Sequence, residues 1–259
     1  MSQPVAITLE HLKTKVLPTL FANPTTIGSY GNTVAMTENI DALSKLMEGG
    51  SAGKLAATIT EILSKMADAS PEKISKPQTW MDRLLGNGLE KHVRYQVARK
   101  SFEELLKKAE QHANGVRHTI HSISELIGSH QDEVESLAVH IQAGREFLSE
   151  NPEAGVAAAG AMEFDRPRER LARKLTNLAT LLASHELSVN QMKLSRAQAV
   201  DMLDRFSETV TVLVPVWRQH TLTLITTKNM SVAMVEEASK AHQALMASLA
   251  TSLDGMTQH

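Results

Sequence analysis

The fold of this chain is decided by FEELLKKAEQHANGVRHTI at residues 102–120 and by LARKLTNLATLLASHEL at residues 171–187. In both stretches apolar side chains recur in alternating steps of four and three residues, which places them along one side of an α-helix. The first pattern continues to Leu148 and the second to Trp217. Because a helix buries such an apolar seam against another helix, the two patterns predict two long helices packed side by side.

The two seams are equally long and contain few polar residues. The first consists of Phe102, Leu106, Ala109, Ala113, Val116, Ile120, Ile123, Ile127, His130, Val134, Leu137, Ile141, Gly144 and Leu148. The second consists of Leu171, Leu175, Leu178, Leu182, His185, Val189, Met192, Arg196, Ala199, Leu203, Phe206, Val210, Leu213 and Trp217. Polar groups at core positions cost stability but can fix the register of paired helices, and this is the role expected of His185 and Arg196.

Composition and proline spacing define the predicted architecture. Of the 259 residues, 42% are hydrophobic and only 3% aromatic, which favours helix packing over a sandwich or barrel. We expect an all-α protein in which residues 78–259 form a long antiparallel coiled coil or helical bundle. Residues 1–75 should form a smaller region of short helices, because prolines interrupt it. Most residues at 209–216 are β-branched, but their seam phase predicts a helix that is buried all round and bent at Pro215.

Several function classes are excluded or disfavoured by composition. The chain has no cysteine, so disulfides, thiolate metal sites and cysteine nucleophiles are impossible. A net charge of −2 gives no general attraction to nucleic acid or anionic lipid. The N-terminal residues do not resemble a secretory signal, and no apolar run approaches the ~20 residues of a membrane span. We therefore expect a cytoplasmic protein without a transmembrane segment.

Candidate catalytic, cofactor and metal motifs are weak. His118 and His121 lie one helical turn apart, but no HExxH pattern surrounds them, so we expect them to be solvated and expect no metal site. Residues 48–55 superficially resemble a phosphate-binding loop, yet the first glycine and the final serine or threonine are missing. No nucleophile, base and orienting group occur at a telling spacing. We expect a non-enzymatic protein without a cofactor.

A basic cluster marks the start of the second long helix. It contains Arg166, Arg168, Arg170 and Arg173. Helix N-termini favour anions, so the cluster could bind an oxyanion directly. Its simpler interpretation is a solvated basic face that Asp165 and Glu169 partly neutralise, and the sequence leaves both open.

Three segments resemble the TelA-type toxic anion (tellurite) resistance family, which occurs in plasmid tellurite-resistance operons. The most specific is LVPVWRQ at residues 213–219, which is similar to the family's Pro-x-Trp helix through Pro215 and Trp217. IQAGREFL at 141–148, with Gly144, and FDRPRERL at 164–171 resemble two preceding segments in the expected order. Arg218 and Gln219 replace the family's usual Lys-Asn, and typical members are longer, which indicates a short or divergent member.

The resemblance implies a role in resistance to tellurite-like oxyanions beside other proteins of the same operon. It supplies no catalytic residues. Combined with the two seams, it predicts a helical scaffold or adaptor that binds partner proteins, with a homo-oligomer as a further possibility. Direct oxyanion binding and a general coiled-coil role unrelated to tellurite are the alternatives. Candidate binding residues are Gly144, Pro215, Trp217, Arg218 and Gln219, together with the four arginines of the basic cluster.

Overall fold

A computed structural model describes residues 8–32, 50–75, 90–156, 166–226 and 232–257. Every regular element in these ranges is helical, which confirms the all-α prediction. The α-helices are α1 (Leu9–His11), α2 (Leu17–Ala22), α3 (Ser51–Asp68), α4 (Pro71–Ser75), α5 (Lys91–Glu150), α6 (Pro167–Glu208), α7 (Val214–Thr226) and α8 (Val232–Thr257). π-helical turns at Leu12–Val16 and Thr209–Leu213 connect α1 to α2 and α6 to α7, and Pro24–Ser29 is a 3-10 helix.

The chain divides into two compact units. Unit 1 contains residues 1–45 and 123–195, and unit 2 contains residues 46–122 and 196–259. Both units thus combine residues from either side of the predicted division at residues 75–78. Among the described helices, none is both long enough and apolar enough to cross a lipid bilayer.

In unit 1 the predicted pairing of the two seams is present. The Nδ1 atom of His130 on α5 contacts Nδ1 of His185 on α6, and further along the pair Gly144 packs against Leu175. From the first contact to the second, the residue number increases along α5 and decreases along α6, so the two helices are antiparallel. The core also includes residues of the N-terminal helices: Leu12, Leu17, Ile27, Tyr30, Leu137, Ile141, Ala143, Phe147, Leu171, Leu175 and Leu178. The phenolic O–H of Tyr30 donates to the backbone carbonyl of His140 at 2.8 Å.

Unit 2 has its own core. It is formed by α3, the first part of the α5 seam and the last part of the second seam. The spacing of Leu55, Ile59, Ile62, Leu63 and Met66 in the sequence predicts an amphipathic helix. In the structure these residues are the buried side of α3. The same cluster contains Phe102, Ala109, Ala113 and Val116 of α5, Ala199, Phe206, Leu213 and Trp217 of the second seam, and Met202, which lies beside that seam on α6. Burying these side chains removes their apolar surface from water, which is the main stabilising contribution to such a core.

The prediction of a helix buried all round at residues 209–216 is wrong. The segment is helical, but Val210, Val212 and Val216 are exposed, whereas Thr209 is fully buried. The cause is the π-helical turn, in which the N–H of Val214 donates to the carbonyl of Thr209, five residues earlier. A regular helix would press the Pro215 ring onto the carbonyl four residues before it, and the wider turn accommodates it.

A second π-helical turn precedes a proline near the start of the chain, at Leu12–Val16. The N–H of Leu17 donates to the carbonyl of Leu12, and Pro18 follows directly. In both places the π-helical turn ends two residues before a proline: at Val16 before Pro18, and at Leu213 before Pro215. This repetition supports the steric explanation.

Three further predictions concern Arg196, residues 67–77 and the start of α6. Arg196 lies exposed rather than in the seam, so it is not a core register residue. Pro71 and Pro77 in the sequence indicate a linker or hinge at residues 67–77. The segment instead contains α4, whose Ile74 is buried and which packs on α7. Asp165 followed by Pro167 in the sequence predicts the start of a helix, and α6 does begin at Pro167. Asp165 itself, predicted as the cap, and the segment after Thr37, predicted as a short helix, lie outside the described residues.

Candidate functional site

Trp217, the most specific residue of the Pro-x-Trp segment, is a core anchor of unit 2. Its side chain is 1% exposed, and its indole N–H donates to the carbonyl of Ala69 at 2.8 Å. The ring stacks on Tyr95 at a centroid distance of 5.7 Å and meets Phe102 edge-on at 4.5 Å. Such a tryptophan holds α7 against α5 and the end of α3 and is not available to a partner.

The other residues of this segment lie at the surface. Pro215 and Gln219 are exposed, and Arg218 is half-buried with one guanidinium nitrogen 3.9 Å from a carboxylate oxygen of Glu103. At that distance and exposure the ion pair contributes little to stability.

A groove of about 590 Å³ lies beside Pro215. Its lining consists of Leu106, Val210, Val214, Pro215, Arg218, Gln219, Leu222, Thr223 and Thr226. Val210 and Leu222 are each 36% exposed, so two large apolar side chains on this wall contact water. We call this surface the Pro215 groove.

Gly144 is a close-packing position in unit 1. A Cβ atom there would lie 2.5 Å from Cδ2 of Leu175 and 3.0 Å from its Cδ1. The absence of a side chain therefore lets α5 and α6 approach each other, and the glycine's role in the resembling segment is structural.

Two arginines of the basic cluster make hydrogen bonds within the protein. The guanidinium of Arg168 donates to the carbonyls of Leu148 at 2.6 Å and Asn151 at 2.9 Å. These carbonyls belong to the end of α5, where helical partners are lacking, so Arg168 caps that helix. Arg166 is exposed and donates to Glu169 at 3.3 Å.

The remaining two arginines differ in their exposure. Arg170 is half-buried and has an interaction of its own, and Arg173 is exposed. This arrangement corresponds to the solvated basic face and gives direct oxyanion binding little geometric support.

The histidines at the seam are closer to one another than the sequence indicated. His118 and His121 are exposed, as expected. His130, Glu133 and His185 are instead all buried and lie together, with the two Nδ1 atoms 2.9 Å apart. Burial lowers the pKa of His130, the charge of His185 lowers it further, and Glu133 opposes both. Both histidines were visible as seam positions, but their pairing depends on a register that the patterns alone do not provide.

Comparisons with known proteins agree with the three resembling segments. The family model described as "Toxic anion resistance protein (TelA)" matches residues 19–258. The chain is 59% identical over 253 residues to Protein KlaA of Escherichia coli, an alignment that covers 98% of each chain. No solved structure matches the chain. With a match across nearly its whole length, this chain belongs to the TelA toxic anion resistance family.

Proposed function

We propose that the protein contributes to resistance against tellurite and related oxyanions as a non-enzymatic, cytoplasmic scaffold that binds partner proteins of the same operon. Membership of a family described as toxic anion resistance proteins supports the biological role. The observation that carries the molecular role is the Pro215 groove. It places Val210 and Leu222 in contact with water beside the most specific segment of the chain.

Exposed apolar side chains around a groove favour binding of another protein's apolar helix or loop. The groove is rimmed by polar groups of Arg218, Gln219, Thr223 and Thr226, which can orient such a segment. Trp217 and its aromatic neighbours form a rigid base beneath α7. A preorganised surface of this kind loses little conformational entropy on binding.

The test is a set of replacements in a host that carries the complete operon. Deleting the gene should lower tellurite tolerance, measured as the concentration that inhibits growth. Val210→Glu and Leu222→Glu should lower tolerance similarly and should reduce co-purification of operon proteins with the tagged chain. Leu194→Glu is the matched control, because Leu194 is 60% exposed in unit 1 and lies outside the groove.

The outcomes separate the two parts of the proposal. Unchanged tolerance after gene deletion would contradict the resistance role. Full tolerance and full co-purification in both groove variants would contradict the binding surface. Sedimentation of the purified chain alone shows whether the groove is instead covered by a second copy, in which case Leu222→Glu should convert a dimer to a monomer.

A further inference from the structure

Three potential metal ligands converge between the two long helices of unit 1. His130 and Glu133 are three residues apart on α5, which places both side chains on the same side of the helix. His185 faces them from α6. The three residues are 2%, 6% and 5% exposed, respectively, so the group is enclosed by protein.

Their ligating atoms are close enough to share one ion. Nδ1 of His185 lies 2.9 Å from Nδ1 of His130 and 3.4 Å from a carboxylate oxygen of Glu133. One nitrogen or oxygen atom from each residue lies within 4.8 Å of the others. Two nitrogens bound to one tetrahedral zinc at about 2.0–2.1 Å are separated by about 3.3 Å, so an ion requires only small side-chain movements.

The carboxylate of Glu133 provides an independent reason to expect a cation. Both its oxygens are buried, and neither accepts a hydrogen bond from the part of the chain that the structure describes. A buried carboxylate without such partners is costly, and a bound divalent cation would compensate its charge directly. The nearby seam residues are apolar: Ile127, Leu137, Leu178 and Val189 are buried, and Val134 and Leu182 are half-buried. Apolar surroundings strengthen electrostatic attraction at the site.

We propose that His130, Glu133 and His185 form a binding site for a divalent first-row transition-metal ion such as Zn²⁺. Two imidazoles and one carboxylate favour such an ion over Ca²⁺ or Mg²⁺, which prefer all-oxygen ligand sets. Three protein ligands leave a coordination position for water or another small ligand. The proposal rests on unit 1 alone and is independent of the Pro215 groove and of tellurite resistance.

The test uses the full chain, freed of any histidine tag and stripped with a chelator. Titration with Zn²⁺ in competition with a chromophoric chelator should give one tight site per chain. Replacing a metal ligand should weaken binding at least as much as losing an outer-shell partner, which costs about 10- to 100-fold. We therefore expect His185→Gln and Glu133→Gln to raise the Kd for Zn²⁺ at least about 100-fold.

The matched control is the double variant His118→Gln, His121→Gln, which removes an exposed histidine pair from the same helix and should leave the tight site intact. Co²⁺ bound to the unaltered chain should show the visible absorption bands of a nitrogen-coordinated ion, a readout that does not depend on any variant folding. Absence of tight Zn²⁺ binding, unchanged binding in His185→Gln, or loss of binding in the control variant would each overturn the proposal.

Discussion

The indole N–H of Trp217 donates to the backbone carbonyl of Ala69, 148 residues earlier in the chain, at 2.8 Å. Ala69 follows the last residue of α3, where helix carbonyls lack intrahelical partners. One side chain therefore combines a buried aromatic contact with a helix-terminal hydrogen bond. The most specific residue of the family segment is accordingly a buried anchor of the unit 2 core.

Replacing Trp217 by alanine should destabilise the protein strongly. Loss of a fully buried tryptophan leaves a cavity beside Tyr95 and Phe102, with an expected cost of about 3–5 kcal/mol in the free energy of unfolding. Trp217→Phe keeps an aromatic ring but leaves the Ala69 carbonyl unpaired, and should cost less than the alanine variant. Urea unfolding followed by circular dichroism measures both. Equal and small effects would contradict the anchoring role.

Gly144→Ala should destabilise unit 1, because its Cβ would overlap the Leu175 side chain. Overpacking costs about 1–3 kcal/mol, and the better helix propensity of alanine offsets up to about 1 kcal/mol of it. The matched control is Gly128→Ala on the same helix, where a Cβ meets no atom within 4 Å in the described structure. That variant should be stabilised. Thermal unfolding compares the two, and an equal gain in both would show that the close approach is unimportant.

Arg168→Ala should lower stability by about 1–3 kcal/mol, since two charge-assisted hydrogen bonds to the end of α5 are lost. Arg173→Ala removes an exposed arginine of the same cluster and should change stability by no more than about 0.5 kcal/mol. Titration calorimetry of both variants with tellurite checks the alternative role. Equal loss of tellurite binding in both, without a change in stability, would instead favour an oxyanion site.

Stability should fall as the pH drops below about 6.5, and two buried histidines of unit 2 should contribute to this together with His130 of unit 1. His242 from α8 faces His220 from α7 and Glu72 from α4, and neither of its ring nitrogens has a hydrogen-bond partner among the described residues. Burial lowers the pKa of both histidines, and His220 lowers that of His242 further, although Glu72 opposes these effects. The unfolded chain therefore binds more protons between the folded pKa values and about 6.5.

Glu72 acts in a lower pH window. Burial raises its pKa, but hydrogen bonds from Ser239, its own backbone and Ser70, together with His220, lower it overall. Its stabilising contribution is therefore lost only as the pH falls below about 4.5. Urea unfolding at pH 7.5 and 5.5 should show a smaller pH dependence in His242→Leu than in the unaltered chain. An identical dependence would contradict the assignment to His242.

The sequence predicted the pairing of the long helices well because its apolar periodicity extends over many turns. Most seam residues are buried or half-buried, including His130 and His185. Periodicity could not identify the π-helical turn, because the turn results from a steric conflict at Pro215. It therefore misplaced Val210 and overlooked Thr209. The contact between the two histidines depends on which turns of α5 and α6 face each other, and the apolar pattern alone does not specify this register.

The wide turn at Thr209–Leu213 has the effect of a one-residue insertion in an otherwise regular helix. A heptad frame extended from Phe206 assigns Val210 to the interior, whereas the folded chain uses Thr209 there. Removing one residue from this turn would leave a regular helix, in which the Pro215 ring meets the carbonyl four residues before it. Alignments and grafts that cross the proline must therefore retain the inserted position.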